Sequence, residues 1–331
     1  MHELIPQHPI RPADIYAARA RIRGWIYQTP LVPSPWLSEL AGRPVLLKCE
    51  NRQETGSFKA RGALNFLLRL APDERTSGVV TASAGNHGQA VAWAAARLGI
   101  RATIVLPRDA VPVKVARTRS WGADVVTYGY GYDEAHHHAE GLAQEAGAVY
   151  VPAFDHPWVI AGQGTVALEI LEQQPDVGVL LVPVGGGGLV SGAALAVTGR
   201  APRVGVLGVQ SDRTSAMYDA LEAGRLVPVE TPPTLADGLA GETCQATLDL
   251  CRALGVPVRL VPEEAILPAI GALLVREHLA VEGSAAVAVA AVLQGLLPPG
   301  GNPVALVLSG GNVDPDVLAE AVTLIGKQED P

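Results

Sequence analysis

VGVLLVPVGGGGLVSG, residues 177–192, sets a strand-length apolar run against four consecutive glycines and a segment that can continue as a helix. A run without charge suits a strand buried on both faces, as in a parallel sheet covered by helices. Four glycines cost conformational entropy and a simple turn needs only one or two, so something must approach the backbone closely there. Amides bared at a helix N-terminus attract an anion, which makes Gly185, Gly186, Gly187 and Gly188 a candidate phosphate cradle. The uncharged stretch 177–199 is also long enough to cross a bilayer. Pro183 and the tetraglycine instead divide it into a buried strand, a turn and a helix.

Apolar runs of strand length recur on both sides, at 45–49, 79–82, 102–106, 124–128, 149–152, 203–209, 258–261 and 304–308, with 179–184 as the strand of the glycine segment. Helical patterns fill the gaps. Leu64, Leu67 and Leu68 share one face of a helix expected over 58–70, and Val91, Ala94, Ala95 and Leu98 share one face of 88–98. This alternation predicts an α/β fold wound from βα units. Nine strands are many for one evenly twisted sheet, so two open twisted, mostly parallel sheets flanked by helices and facing a shared cleft are expected. The 331 residues allow two domains, and 48% hydrophobic against 18% charged residues fits such a globule and excludes disorder.

Lys and Arg number 25 against 33 Asp and Glu, a formal charge of −8, which leaves no footprint for nucleic acid or an anionic membrane and makes small molecules the expected partners. Cys49, Cys244 and Cys251 show neither a disulfide framework nor metal-ligand spacing, so reduced, buried thiols and a cytoplasmic location are expected. Residues 1–11 lack the basic-then-apolar order of a secretory signal.

Three further segments leave apolar strands directly. In ENRQETGSFKARG, residues 50–62, Thr55 or Ser57 can cap the next helix and place Lys59 in its first turns beside bared amides. The positive end of a helix dipole lowers a lysine pKa, as a Schiff-base or general-base lysine requires, although in isolation a solvated surface lysine is the better account. In SAGNHGQ, residues 83–89, Ser83, Ala84 and Gly85 let a ligand reach the backbone while Asn86 and His87 supply donors, a set suited to a carboxylate or to an ordinary Asn-containing turn. LSGGNVD, residues 308–314, sets the Ser309 hydroxyl beside paired glycines, where it can bond a buried heteroatom or cap a helix. All four segments fall at expected strand C-termini, where open α/β sheets bind ligands. A dinucleotide site is the rival, but the third fingerprint glycine is missing and the next strand ends in Gln210 rather than an acidic residue, with Asp212 a poor substitute.

TGSFKARGA, SAGNHGQA, IAGQGTVALEI, VPVGGGGLVSG, TLADGLAG, VEGSAAVAVAA and LSGGNVD, spread in this order from about residue 50 to 314, resemble the fold-type-II pyridoxal phosphate enzymes, and within them the serine/threonine dehydratase and serine racemase group. The resemblance implies a tryptophan synthase beta-like architecture with pyridoxal 5'-phosphate in the interdomain cleft, a large domain of residues 1–54 and 149–331, and a small domain of residues 55–148. It implies that Lys59 carries the cofactor as a Schiff base, that Phe58 packs beside it, and that Asn86 bonds the ring 3′-oxygen. Gly185 to Gly188 would hold the phosphate with Leu189 closing the turn, and Ser309 would face the pyridine nitrogen. Ser83, Ala84, Gly85, Asn86 and His87 would bind the substrate carboxylate, and Gly238 and Glu282 would line the cofactor cleft, although a helix-capping carboxylate accounts for Glu282 equally well.

The implied reaction is an ammonia-lyase reaction, in which a 2-amino-3-hydroxy acid, L-threonine or L-serine first, gives a 2-oxo acid and ammonia. A bulkier hydroxy amino acid such as phenylserine, 3-hydroxyaspartate, or serine racemisation are the near alternatives. An NAD-dependent oxidoreductase and a two-lobed amino-acid-binding protein are the distant ones. Racemising members carry a second serine where this chain has Ala84, and a methyl group cannot serve as acid or base, so dehydration is favoured. The cation carboxylates of many members match Gln210 and Ala216 here, so no metal is expected, with Asp212 and Asp219 the nearest acids. A homo-oligomer, dimer or larger, follows from the family tendency. His136, His137 and His138 are successive on an expected helix and cannot share one ion, which makes them a solvated face; Cys244 and Cys251 are expected on one helix.

Overall fold

Apolar strands alternate with amphipathic helices along the whole chain, and the computed structural model, which describes residues 10–108, 110, 112–230 and 232–329, gathers the strands into two sheets. The strands are β1 (Leu31–Pro33), β2 (Val45–Cys49), β3 (Val79–Ala82), β4 (Ala102–Leu106), β5 (Asp124–Thr127), β6 (Val149–Tyr150), β7 (Val179–Pro183), β8 (Gly205–Ser211), β9 (Val258–Val261) and β10 (Val304–Leu308). The larger sheet runs β1-β2-β10-β7-β8-β9 and the smaller β5-β4-β3-β6. Among the strand pairs of the described residues only β1–β2 is antiparallel. β2, β7 and β10 are buried along their full length, as expected for strands covered by helices on both faces.

Several details depart from the sequence expectation. β1 was not foreseen: it is a three-residue edge strand that ends in Pro33, too short to show a period. The strand expected over 149–152 pairs for only two residues, because the Val151 carbonyl accepts the Thr81 hydroxyl instead of a neighbouring amide. The helix expected over 58–70 spans Lys59–Leu67, and the one expected over 88–98 spans Asn86–Leu98, so Asn86 and His87 lie inside its first turn. Neither Thr55 nor Ser57 caps the Lys59 helix. Phe58 holds the capping position with no side-chain bond, Thr55 takes a left-handed φ of 60°, and Ser57 bridges to Gly310 with its hydroxyl buried and unpaired among the described residues. Cys244 precedes the helix Gln245–Ala253 instead of lying on it with Cys251. Residues 1–9, most of the stretch read for a leader, lie outside the described residues.

The triple histidine is only partly solvated. His136 bonds the Tyr150 hydroxyl at 2.7 Å, His138 stacks on Tyr128 at 3.8 Å, and only His137 is exposed. Among the described residues no helix is long and apolar enough to cross a membrane.

Three helices meet backbone to backbone beneath the strand ends. A Cβ on Gly162 would stand 2.5 Å from the Arg61 carbonyl oxygen, one on Gly164 2.6 Å from that of Gly192, and one on Gly192 2.5 Å from that of Ile160. The helices Lys59–Leu67, Pro157–Gln173 and Gly188–Arg200 therefore form one rigid platform, with the lysine at the start of the first and the tetraglycine at the start of the third. Gly164→Ala is expected to lower stability by about 1–3 kcal/mol in urea unfolding. Gly141→Ala, where a Cβ meets nothing in the exposed helix Tyr132–Ala146, is expected to raise it by up to about 1 kcal/mol.

Candidate active site

Charge buried below the platform fixes where Lys59 stands. Arg61, two residues on and fully buried, reaches both oxygens of Glu50 and both of Glu169 at 2.8–2.9 Å. Lys48 closes on Glu169 at 2.7 Å, and Thr29 donates to Glu50 at 2.5 Å. Burial by itself would lower the Arg61 pKa, but the two carboxylates outweigh it and hold the guanidinium charged. Glu50 follows β2 and Glu169 lies on the helix Pro157–Gln173, so the cluster ties the Lys59 helix to two elements of the larger fold. The sequence reading did not include it.

Lys59 is the first residue of its helix, and its Nζ donates to the Ala153 carbonyl at 2.8 Å. Burial lowers its pKa to about 8, against an upward pull from Glu282. Phe58 lies under the amine, 5.5 Å from ring centre to Nζ, and its N–H donates to the Ser309 carbonyl at 3.0 Å. Ala153 leads to Phe154, whose ring would collide with a Cβ on Gly186 and whose carbonyl would collide with one on Gly188.

The tetraglycine has the geometry its composition suggests. Gly187 takes φ +99°, and a Cβ there would strike Met217 and Thr247. Among the described residues, none of the backbone N–H groups from Gly185 to Val190 donates a hydrogen bond, whereas the Gly186 carbonyl accepts from both Thr243 and Thr247. The loop thus holds its carbonyl inward and leaves its amides for an anion at the start of a thirteen-residue helix. Leu189 is buried in the first turn of that helix, directly after the glycines. Gly238 sits against Gly185, with its N–H on the Ser284 hydroxyl at 2.9 Å. Phe154, Thr243, Thr247 and Ser284 escaped the sequence reading because each lies far along the chain from the glycines it serves.

A second helix N-terminus has the same character. The amides of Ala84, Asn86, His87 and Gly88 donate no hydrogen bond among the described residues, and the Ser83 hydroxyl accepts the Gly85 N–H at 3.1 Å. His87 is buried with Nε2 on the Val151 carbonyl at 3.1 Å; burial, then Lys59, push its pKa down to about 3, so it is neutral. Asn86 donates to Glu282 at 2.7 Å across the two sheets. Glu282 occupies the capping position of the helix Gly283–Leu293 without a capping bond, its carboxylate turned to Asn86 instead. Burial, then Asp237, raise its pKa to about 7 against the Asn86 bond. Ser309 is buried at the end of β10, one residue before the Gly310 that touches Glu282 and Asn86. The sequence-expected residues Phe58, Lys59, Asn86, His87, Gly185–Gly188, Gly238, Glu282 and Ser309 are thus linked through direct contacts or through one or two intervening residues.

At the end of β8 the Gln210 side chain accepts the Tyr218 N–H, Ala216 is buried in the following helix, and no group of three His, Cys, Asp or Glu among the described residues could hold a metal. A groove of about 520 Å³ opens at the opposite end of the larger sheet, lined by Val179, Gly205 and Pro257 with Arg259 as its one charge; it is remote from these strand C-termini.

The Lys59 environment has a measurable consequence. The group holds about 8 in the folded chain against 10.5 ordinarily, so between those values the unfolded chain binds more protons, and stability of the cofactor-free protein should rise with pH across that interval. Urea midpoints measured across the interval should climb in the wild type and lose most of that climb in Lys59→Met. Parallel pH profiles for the two proteins would refute the assignment.

Residues 22–310 match the family described as "Pyridoxal-phosphate dependent enzyme". The chain is 46% identical over 306 residues to the "L-threonine ammonia-lyase" of Thermotoga maritima, covering 92% of this chain and 76% of that protein. It is 38% identical over 309 residues to the "L-threonine dehydratase catabolic TdcB" of Escherichia coli K12, covering 92% and 94%. Among solved structures, maize serine racemase superposes with a TM-score of 0.90 at 32% identity, over 97% of this chain and 99% of that one. A glycine loop of unpaired amides, a buried amine and matches of this extent agree, and the chain belongs to the family of pyridoxal-phosphate-dependent enzymes.

Proposed function

We propose that the protein is an ammonia-lyase that converts a 2-amino-3-hydroxy acid, L-threonine or L-serine first, to a 2-oxo acid and ammonia. The observation that carries this reading is the pair of helix N-termini with bare amides, at Ala84 and 86–88 and at 185–190, together with one buried amine of depressed pKa. That donor set fits the cofactor: six free amides for a dianionic phosphate, an amine for an aldehyde, and the Ser309 hydroxyl for a ring nitrogen. When bound, pyridoxal phosphate supplies an aldehyde that condenses with an amine and a ring that delocalises the electron pair left at the substrate α-carbon.

The chain's own residues do the rest. The amides of Gly185–Val190 and the helix behind them hold phosphate charge without a cationic side chain. Ser83 and the amides of Ala84, Asn86 and His87 hold the substrate carboxylate in the same manner. The neutral His87 adds no charge there. As a free amine, Lys59 would take the α-proton; with a pKa of about 8 it is partly unprotonated near neutrality, as a general base requires. Ser309, a neutral hydroxyl, does not keep a pyridine nitrogen protonated as a carboxylate would, which favours prompt loss of the β-substituent. Ala84 offers no acid or base, which favours elimination over racemisation. The reading carries with it a small lobe of residues 55–148 inserted between the segments 1–54 and 149–331 of a larger one, a homo-oligomer, and a cytoplasmic location.

Purified protein should be yellow, and borohydride should fix the cofactor mass on a peptide containing Lys59. Lys59→Ala should lose ammonia release from threonine and serine by at least about 1000-fold. A colourless protein without the adduct would sink the proposal. Faster turnover of phenylserine or 3-hydroxyaspartate than of threonine would move the substrate assignment, NAD binding with an active Lys59→Ala would favour an oxidoreductase, and amino-acid binding without 2-oxo acid would favour a binding protein.

A further inference from the structure

Asn86 is held from two sides, and the second partner, Asn312, has no role in the reading above. Its Nδ2 lies 2.8 Å from the Thr55 carbonyl oxygen and 2.7 Å from Asn86 Oδ1. A backbone carbonyl can only accept, so the Asn312 atom facing Thr55 must be the nitrogen. The same nitrogen then spends its second hydrogen on Asn86, whose facing atom must be the oxygen. Asn86 is left with its nitrogen toward Glu282, 2.7 Å from Oε1. The backbone N–H of Asn312 also favours the charged form of Glu282, so the three residues Asn312, Asn86 and Glu282 act on one another in a ring. One carbonyl thereby dictates the orientation of two amides, and one Asn86 N–H is left over with no acceptor among the described residues.

The ring is built into the backbone around it. Thr55 takes the left-handed φ of 60° that few threonines adopt, which aims its carbonyl at Asn312. Gly310 has no room for a side chain, since a Cβ would stand 2.3 Å from Glu282 Oε1 and 3.2 Å from Asn86 Nδ2, and the Gly311 N–H bonds the Gly56 carbonyl at 2.9 Å. Four strand-end or inter-helix segments meet here: 50–58, 83–88, 280–283 and 309–312. Glu282 alone would be an unreliable clamp, because a carboxyl can offer either an acceptor or, once protonated, a donor to the Asn86 amide. Asn312 offers a donor in every protonation state.

We infer that Asn312 is a positioning residue, which with the Thr55 carbonyl fixes the Asn86 side-chain amide so that its remaining N–H points permanently toward the cofactor oxygen. The role rests on the reading of Asn86 as a cofactor contact. Asn312→Ala and Asn312→Asp remove the donor, the second also setting a carboxylate against two acceptors. Each should weaken reconstitution with pyridoxal phosphate about 10- to 100-fold, the worth of a bond to a charged group, and move the visible absorption band and its pH dependence. Asn86→Ala should do the same, and Asn86→Ala/Asn312→Ala should be no worse than Asn86→Ala alone, because both lie on one path. Wild-type affinity and spectrum in the Asn312 variants, or fully additive losses in the double variant, would overturn the inference; lowered thermal stability with an unmoved band would reduce Asn312 to a structural prop and overturn it equally. Cofactor-free wild-type protein gives an independent reading by NMR. Both Asn312 side-chain amide hydrogens should exchange far more slowly than those of exposed Asn302, and one of the two Asn86 hydrogens should exchange faster than the other; equal exchange at Asn312 and Asn302 refutes the ring. A wild type that binds no pyridoxal phosphate yet shows this exchange pattern would sink the proposed function and the cofactor-facing role while leaving the ring itself standing.

Discussion

Everything at the strand ends depends on one buried charge. Arg61 engages two carboxylates from different parts of the chain, Glu50 after β2 and Glu169 on the helix Pro157–Gln173, with all three side chains removed from water. Such a cluster adds little net stability over an apolar core, since desolvation consumes most of the Coulombic gain, but losing one member strands the others at a cost of about 3–5 kcal/mol. The consequence is geometric. The helix that begins with Lys59 cannot slide or rotate without breaking four charge-assisted bonds, so the amine is held to one place relative to the larger sheet.

Ligand charge, by contrast, is met almost without cationic side chains. The two candidate anion sites use backbone amides at the starts of Asn86–Leu98 and Gly188–Arg200, and the one titratable ring beside them, His87, is kept neutral by burial. No cation is among the groups that shift the Lys59 amine, which leaves it unrivalled as the proposed base. Glycine is what makes this economical: at Gly186, Gly187 and Gly188 a single methyl would collide with Phe154, Met217 or Thr247, and the loop could not present its amides.

Legibility in the sequence tracked locality. Strand and helix periods, and the four segments that leave strands for helices, depend on neighbours within about ten residues, so Lys59, Ser83, Asn86, Gly185–Gly188 and Ser309 could be singled out and the two-sheet architecture foreseen. Misreadings also had local causes: β1 is too short to carry a period, and the caps assigned to Thr55 and Ser57 followed residue type, whereas the backbone needed Thr55 for its carbonyl and Ser57 for a bridge to Gly310. Asn312 stood inside a quoted segment but offered no signal of its own, because its partners Thr55 and Asn86 are 257 and 226 residues away.

The sequence by itself determined the α/β class, the order of elements, and which short segments carry chemistry, because those follow from hydrophobic period, turn composition and the exposed amides of helix starts. Only the tertiary structure decided how those segments combine. Arg61 meeting Glu50 and Glu169, Thr243 and Thr247 turning the Gly186 carbonyl away, and Glu282 abandoning its helix cap for Asn86 are contacts between residues brought together by packing. Their strength comes from exclusion of water and from fixed distance, and neither quantity exists until the chain has folded.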